Sequence, residues 1–218
     1  VTLTARDAEW LEECLAGDGV AVIPTDTVYG LACNPNSAVA LRRVYELKRR
    51  APLKPTAVMF FALEQTLATL TELTRRERAA VEVLLPGPVT LLLPNPQRRF
   101  PLACEPAVEL EGAEPAEVPP LGLRVPRLDG PHASLAGMRT PVLQSSANRS
   151  GEPAPRRLAD VPTALRQGAD LVLDGGELPG VASTVIDLSD YERSGEWRIV
   201  RDGPLDAATL RAALGGSC

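Results

Sequence analysis

The chain has 218 residues, 44% of them hydrophobic and 23% charged, a balance that suits a globular protein with a substantial core. A net charge of −5 and a pI near 5.1 argue against a protein that wraps nucleic acid through a general basic footprint, though a local cationic site remains compatible. Four scattered cysteines with no CxxC pair, together with His132 as the single histidine, leave no Cys/His zinc spacing. No apolar run reaches about 18 residues and no signal peptide is visible, so the expectation is a cytoplasmic protein without a membrane span.

In chain order, residues 7–16 carry apolar positions at helical spacing and stop at Gly17 and Gly19. Val20–Ile23 is a short apolar run that reads as a buried strand and ends at Pro24. The polar turn Thr25-Asp-Thr-Val-Tyr-Gly30 follows, in the place where open α/β sheets hold ligands. Asn36-Ser37 can cap a helix over 38–49 whose far end is basic. The spacing predicts further strands over 56–61, 89–93, 121–125, 141–145, 169–174, 182–188 and 197–201. Helices are predicted from the Thr74-Arg-Arg-Glu77 capping box to about Leu85, and over 131–138, 157–167 and 206–214. Residues 98–120, rich in Pro, Glu and Ala, read as an irregular surface segment. Strands alternating with helices favour one α/β domain over residues 1–218.

Common catalytic devices are missing. One histidine and no GxSxG elbow disfavour a Ser-His-Asp hydrolase, and His132 reads as a surface or packing residue. No Walker lysine motif or GxGxxG is present. What remains is a set of polar turns after strands, single arginines on strands, and a cation cluster. Only two of the 23 basic residues are lysines, Lys48 and Lys54, and they flank Arg49 and Arg50. Lysine is a compact charge with rotatable donors, suited to phosphate oxygens. Such a set suits the binding and polarising of anions by positioned donors, without a protein nucleophile. Each piece also has a plainer reading. The cations suit a solvated helix end, Ser145-Ser-Ala-Asn148 an Asx turn, Ser183-Thr184 ordinary strand positions, Arg124 and Arg201 solvent-seeking strand arginines, and Tyr29 core. Their recurrence at strand ends favours one shared pocket.

Several blocks in order then carry a resemblance: Pro24-Thr-Asp-Thr-Val-Tyr-Gly-Leu31, Lys48-Arg-Arg50 with Lys54-Pro55, Pro86-Gly-Pro-Val-Thr90, Leu123-Arg-Val-Pro126, Ser146-Ala-Asn-Arg-Ser-Gly151, Asp174-Gly-Gly176, Ser183-Thr-Val-Ile-Asp187 and Arg201-Asp-Gly203. Over about Val20 to Gly203 the chain resembles the YrdC-like L-threonylcarbamoyladenylate synthases, of the short single-domain type. The resemblance implies an α/β fold with a twisted, mixed or parallel open sheet and flanking helices around a large central cavity. It implies the conversion of L-threonine, bicarbonate or CO2, and ATP to threonylcarbamoyl-AMP and pyrophosphate, for threonylcarbamoyladenosine modification of tRNA. It places catalysis on Lys48, Arg50, Ser146 and Asn148. Threonine binding falls on Thr25, Lys54, Arg124 and Ser183, and ATP binding on Lys48, Arg50, Ser146, Ser150 and Arg201. ATP is a substrate, Mg²⁺ accompanies it, and no dedicated metal site is implied. Separate proteins are expected to transfer the threonylcarbamoyl group to tRNA. Ala51 stands between Arg50 and Pro52, where the family commonly has Pro directly after Lys-x-Arg. The competing readings are a nucleotide-binding YrdC-like paralogue without synthase activity, an RNA-binding module whose basic cavity binds RNA weakly, and a ligand-binding protein without turnover.

Overall fold

A computed structural model describes residues 1–49, 55–106 and 118–215. Nine strands form one sheet: β1 (Val20–Ile23), β2 (Gly30–Cys33), β3 (Ala57–Met59), β4 (Val89–Leu93), β5 (Leu121–Arg124), β6 (Val142–Ser146), β7 (Leu171–Val172), β8 (Thr184–Asp187) and β9 (Arg198–Arg201). Their order is β7-β1-β2-β6-β3-β5-β4-β8-β9. The β7/β1, β3/β5 and β4/β8 pairs are parallel and the other five neighbouring pairs antiparallel, so the sheet is mixed.

Because side chains alternate across a strand, the register assigns each residue to one of two faces. One face is continuous hydrocarbon. Val20 and Val22, Leu31 and Cys33, Leu143, Val58, Leu121 and Leu123, Leu91 and Leu93, and Ile186 share a single buried cluster. Helices α2 (Ala38–Lys48) and α4 (Arg75–Leu84) cover it with Leu41, Val44, Ala80 and Val81. The other face is divided. Its β1/β2 end is apolar (Ala21, Ile23, Ala32) and packs with Met59 and Val142 under α1 (Ala5–Ala16) and the 3₁₀ segment Gly130–Gly137. The remainder of that face is mostly polar or small, with Ala57, Thr90, Gly122, Arg124, Gln144 and Ser146 beside Leu92 and Val185 at the register positions. This division creates the cavity described below.

Helix starts follow their caps. Thr4 and Asp7 form a capping box on α1, Thr74 and Glu77 another on α4, and the Ser37 side chain accepts from Ala40 N on α2. Asp206 caps the last helix, Ala207–Leu214. The chain leaves α2 through Arg49 in the left-handed conformation, at φ 50°.

Several expected elements differ. A strand, β2, stands between the polar turn and α2, where a helix was expected to follow directly. The helix expected over 157–167 is a 3₁₀ turn at Leu158–Asp160 and a separate helix at Thr163–Gly168, because Pro162 cannot continue a helical ladder. The strand expected over 169–174 pairs only at Leu171–Val172, and the helix expected over 131–138 is 3₁₀. Residues 98–120 were expected to be irregular surface. A short helix, Pro101–Cys104, buries Leu102, Ala103 and Cys104 within them, while 107–117 lie outside the described residues. A helix that the sequence does not announce, α3 (Leu63–Thr69), has no side-chain cap.

Asp170 ties three of these parts together. Its carboxylate accepts from Val20 N at 2.8 Å, joining β7 to β1, and pairs with Arg43 of α2 at 2.8 Å. The Arg43 hydrogen bond and then the Val20 amide hold its carboxyl below the ordinary 3.8. A group with a depressed folded pKa adds stability above its unfolded value and loses it as pH falls through the folded one. Asp170→Asn is therefore expected to lower the urea midpoint at pH 7. The gap to wild type should close as pH drops below about 3.8, as followed by circular dichroism.

Candidate functional site

The polar part of the divided sheet face floors a cavity of about 380 Å³, within the usual size range of small-molecule sites. Thr90 and Leu92 of β4, Gly122 and Arg124 of β5, and Gln144 and Ser146 of β6 line it as i, i+2 pairs. Ala57 and Gly122 are neighbours on this floor, and their lack of bulk leaves the space open; a methyl on Gly122 would already touch Ala57 Cα at 3.4 Å. Val28 and Pro55 wall one side, Ser183, Val185 and Arg201 another.

Arg124 dominates the floor. It is 4% exposed, and its Nη2 donates to Asp26 Oδ1 at 2.8 Å and to Thr27 Oγ1 at 3.1 Å. Its Nη1 donates to Gln144 Oε1 at 3.1 Å, and its Nε is buried without a partner. Asp26 also accepts from Arg127 N. Burial lowers the Arg124 pKa and raises that of Asp26, each against the attraction between them. Both shifts agree that desolvation outweighs the pairing, so the ion pair is held in place by the fold and is a poor source of stability. Thr25 shapes the loop that presents Asp26. Its hydroxyl donates to Val28 O at 2.8 Å and accepts from Thr27 N and Val28 N.

The turn after β6 is built on Lys48. This lysine is buried, and its Nζ donates to the carbonyls of Ser146 and, at 2.8 Å, Asn148. Ala147 N donates to Tyr29 O at 2.8 Å, so the turn is also stitched to the Thr25–Gly30 loop. Asn148 Nδ2 donates to Glu152 O and closes the turn, while Asn148 Oδ1 is buried without a partner. Tyr29 is core. Its hydroxyl donates to Gly176 O at 2.8 Å and accepts from Gly175 N at 2.9 Å, and burial raises its pKa. His132 Nε2 bonds Gly175 O at 2.9 Å, a packing role.

On the opposite wall, Ser183 and Thr90 share a hydroxyl bond of 2.8 Å. Arg201 grips Ser183 through its carbonyl at 2.8 Å and its Oγ at 3.1 Å. Among the described residues no carboxylate pairs with Arg201. Its positive charge also lowers the Arg124 pKa, so two guanidinium groups press on one cavity. Gly203 follows where the chain crosses β8. A Cβ there would meet Thr184 N at 2.2 Å, so only glycine passes.

Of the residues expected from sequence, Arg124, Ser146, Ser183 and Arg201 line the cavity. Thr25, Lys48 and Asn148 stand behind its wall, shaping the two loops that face it, and Ser150 is exposed on the turn. Arg50 and Lys54 lie outside the described residues. Asp26 and Thr27 are expected only as part of the polar turn, and Thr90 and Gln144 carry no expected role. Asp26 and Thr27 stand inside the Pro24–Leu31 block and Thr90 closes the Pro86–Thr90 block, while Gln144 is an amide two positions before Ser146 in a buried strand, a period-2 signal that reveals its face.

The family model for Sua5, YciO and YrdC, described as telomere recombination, matches residues 13–203. The threonylcarbamoyl-AMP synthase of Chromohalobacter salexigens is 36% identical over 171 residues, covering 78% of this chain and 85% of that protein. The threonylcarbamoyl-AMP synthase of Pyrococcus abyssi is 30% identical over 220 residues, 99% of this chain, which spans only 60% of that longer relative. The crystal structure of Pyrococcus abyssi Sua5 complexed with L-threonine superposes with a TM-score of 0.78 at 25% identity, covering 99% of this chain and 59% of that one.

Removing Asp26 alone strands the Arg124 charge. Asp26→Ala is expected to cost about 3–5 kcal/mol in guanidinium unfolding. Adding Arg124→Leu to Asp26→Ala should recover part of that loss, since the double replacement leaves no buried ion.

Proposed function

This chain belongs to the Sua5, YciO and YrdC family, and on that premise we propose that it is an L-threonylcarbamoyladenylate synthase. Its reaction joins L-threonine, bicarbonate or CO2, and ATP into threonylcarbamoyl-AMP and pyrophosphate. The threonine amine is carboxylated to a carbamate with loss of water from bicarbonate. A carbamate oxygen then attacks the α-phosphorus of ATP, and the bond from that phosphorus to the bridging oxygen breaks to release pyrophosphate.

The observation that carries this reading is a cavity of small-molecule size with cationic walls, where four of the family's motif residues converge: Arg124, Ser146, Ser183 and Arg201. Two anions have to meet in this reaction, and in a poorly solvated site their repulsion is severe unless positive charge is already in place. Arg201, bound to Ser183 and to no described carboxylate, is suited to the nucleotide's phosphates. Arg124, offset by Asp26 yet with Nε unsatisfied, is suited to a carboxylate or carbamate oxygen, with Ser183 beside it on the threonine side. Ser146 faces the cavity from the turn that Lys48 holds, and Asn148 fixes the shape of that turn. In this reading Lys48 combines two roles. It orients the Ser146 turn, and from behind that turn its ammonium adds positive charge to the side of the cavity that receives the reacting phosphates, with Arg50 as second cation. Thr25 and Lys54 complete the threonine side, and Ser150 the nucleotide side.

Mg²⁺ enters as the counter-ion of ATP; among the described residues no group of three or more His, Cys, Asp or Glu gathers to hold a metal. The product feeds separate proteins that transfer the threonylcarbamoyl group to adenosine in tRNA, a cytoplasmic setting. No helix among the described residues is long and apolar enough to cross a membrane.

The purified chain is expected to release pyrophosphate from MgATP only when L-threonine and bicarbonate are both present, with threonylcarbamoyl-AMP identified by mass. ATP binding without release would assign the chain to a nucleotide-binding relative without synthase activity. Steeply salt-dependent tRNA binding without ATP turnover would assign it to RNA. Lys48→Met, which keeps the apolar stem, is expected to lower kcat on the order of 10²–10³-fold in steady-state assays.

A further inference from the structure

Gln144 is held from two sides on the cavity floor. It is central in β6, directly opposite Ala32 of β2 and Ala57 of β3, and its side chain enters the cavity. It is 5% exposed. Two neighbours fix its conformation. A Cβ built on Gly30 would meet Gln144 Nε2 at 2.3 Å, Cδ at 3.1 Å and Cγ at 3.2 Å, so the side chain occupies the slot that the glycine leaves empty. Its Oε1 accepts from Arg124 Nη1 at 3.1 Å.

That contact also settles which end of the amide is which. A guanidinium only donates, so the end facing Arg124 has to be the oxygen, and turning the amide over would oppose donor to donor. The NH₂ group is thereby aimed away from Arg124 as a fixed donor. Among the described residues Nε2 has no hydrogen-bond partner. Arg124 Nε is likewise buried without one. Two donors on adjacent floor residues, one an amide and one a guanidinium already balanced by Asp26, call for oxygen acceptors and add little net positive charge. Arg201, with no carboxylate at hand, is the better site for polyphosphate.

We propose that Gln144 is a specificity-determining residue for the amino-acid substrate. Its Nε2–H donates to an oxygen of that substrate, and its Oε1 orients Arg124 to meet another. Gly30 belongs to the same device, because any side chain there would displace the amide. This assignment rests on the synthase reading and names a contact within that site.

The test is steady-state pyrophosphate release by the full chain, with L-threonine and ATP varied separately. Gln144→Leu removes the donor and the acceptor. Gln144→Glu keeps an acceptor for Arg124 but replaces the donor with a second oxygen. Gly30→Ala leaves the amide chemistry intact and moves it. Each variant is expected to raise the KM for L-threonine about tenfold or more, with kcat within about threefold and the KM for ATP unchanged. A merely structural role would instead lower kcat or the thermal midpoint without this split. If Gln144→Leu does not fold, Gln144→Glu decides by the same criterion. An unchanged threonine KM in a folded variant, or a rise confined to ATP, overturns the assignment and leaves the synthase reading intact. Wild-type protein that releases no pyrophosphate with threonine and bicarbonate overturns both.

Discussion

The structure depends on keeping a guanidinium charge almost wholly out of water in the middle of a sheet. Arg124 is on a central strand, and its partners come from one loop and one other strand. Asp26 and Thr27 reach it from the turn after β1, and Gln144 from β6, across the intervening β3. Burial still pushes its pKa down and that of Asp26 up, so the arrangement exists at a cost to folding. A buried pair of this kind is the signature of a site, because hydrocarbon of equal volume would hold the sheet together better. The apolar cluster on the opposite face supplies the stability that makes it tolerable.

Much of this arrangement was legible in the sequence. The strands at Val20–Ile23, Val89–Leu93 and Leu121–Arg124 announce themselves as apolar runs with Pro or Gly punctuation, and the Thr74–Glu77 box and the Asp206 cap mark helix starts. Arg124, Ser146, Ser183 and Arg201 could be picked out because each stands at or near a strand end inside a recognisable block. Other features were hidden for physical reasons. β2 is Gly-Leu-Ala-Cys, with no β-branched residue, and is a strand only because β1 and β6 bind it on both sides. Pro162 divides what otherwise has helical periodicity. The Leu63–Thr69 helix has no capping side chain to signal it. Lys48 reads as a solvated helix end, but it is buried on backbone carbonyls that no local pattern could reveal.

The cavity owes its shape more to missing atoms than to present ones. Gly30, Ala57 and Gly122 share this face with Arg124 and Gln144, and their lack of bulk leaves volume above the sheet. Motif glycines therefore have separate reasons to be glycine: Gly30 clears the Gln144 amide, while Gly203 lets the chain pass against the β8 backbone. The relatives show that the same frame supports longer proteins, since this chain spans most of the Chromohalobacter salexigens synthase but 60% of the Pyrococcus abyssi one.

The strand order also governs how the site comes into existence. β2 closes on β6, with Gly30 opposite Ser146, and β1 finds its outer partner only in β7, so the N-terminal loop waits for the C-terminal half of the chain. Such pairings have high contact order, and each requires the loop-closure entropy of more than half the chain to be met. Arg124, the Thr25–Gly30 loop and the Ser146 turn meet only where these long-range pairings are in place. The pocket is thus a long-range construction, with no wall that a short stretch of chain assembles by itself.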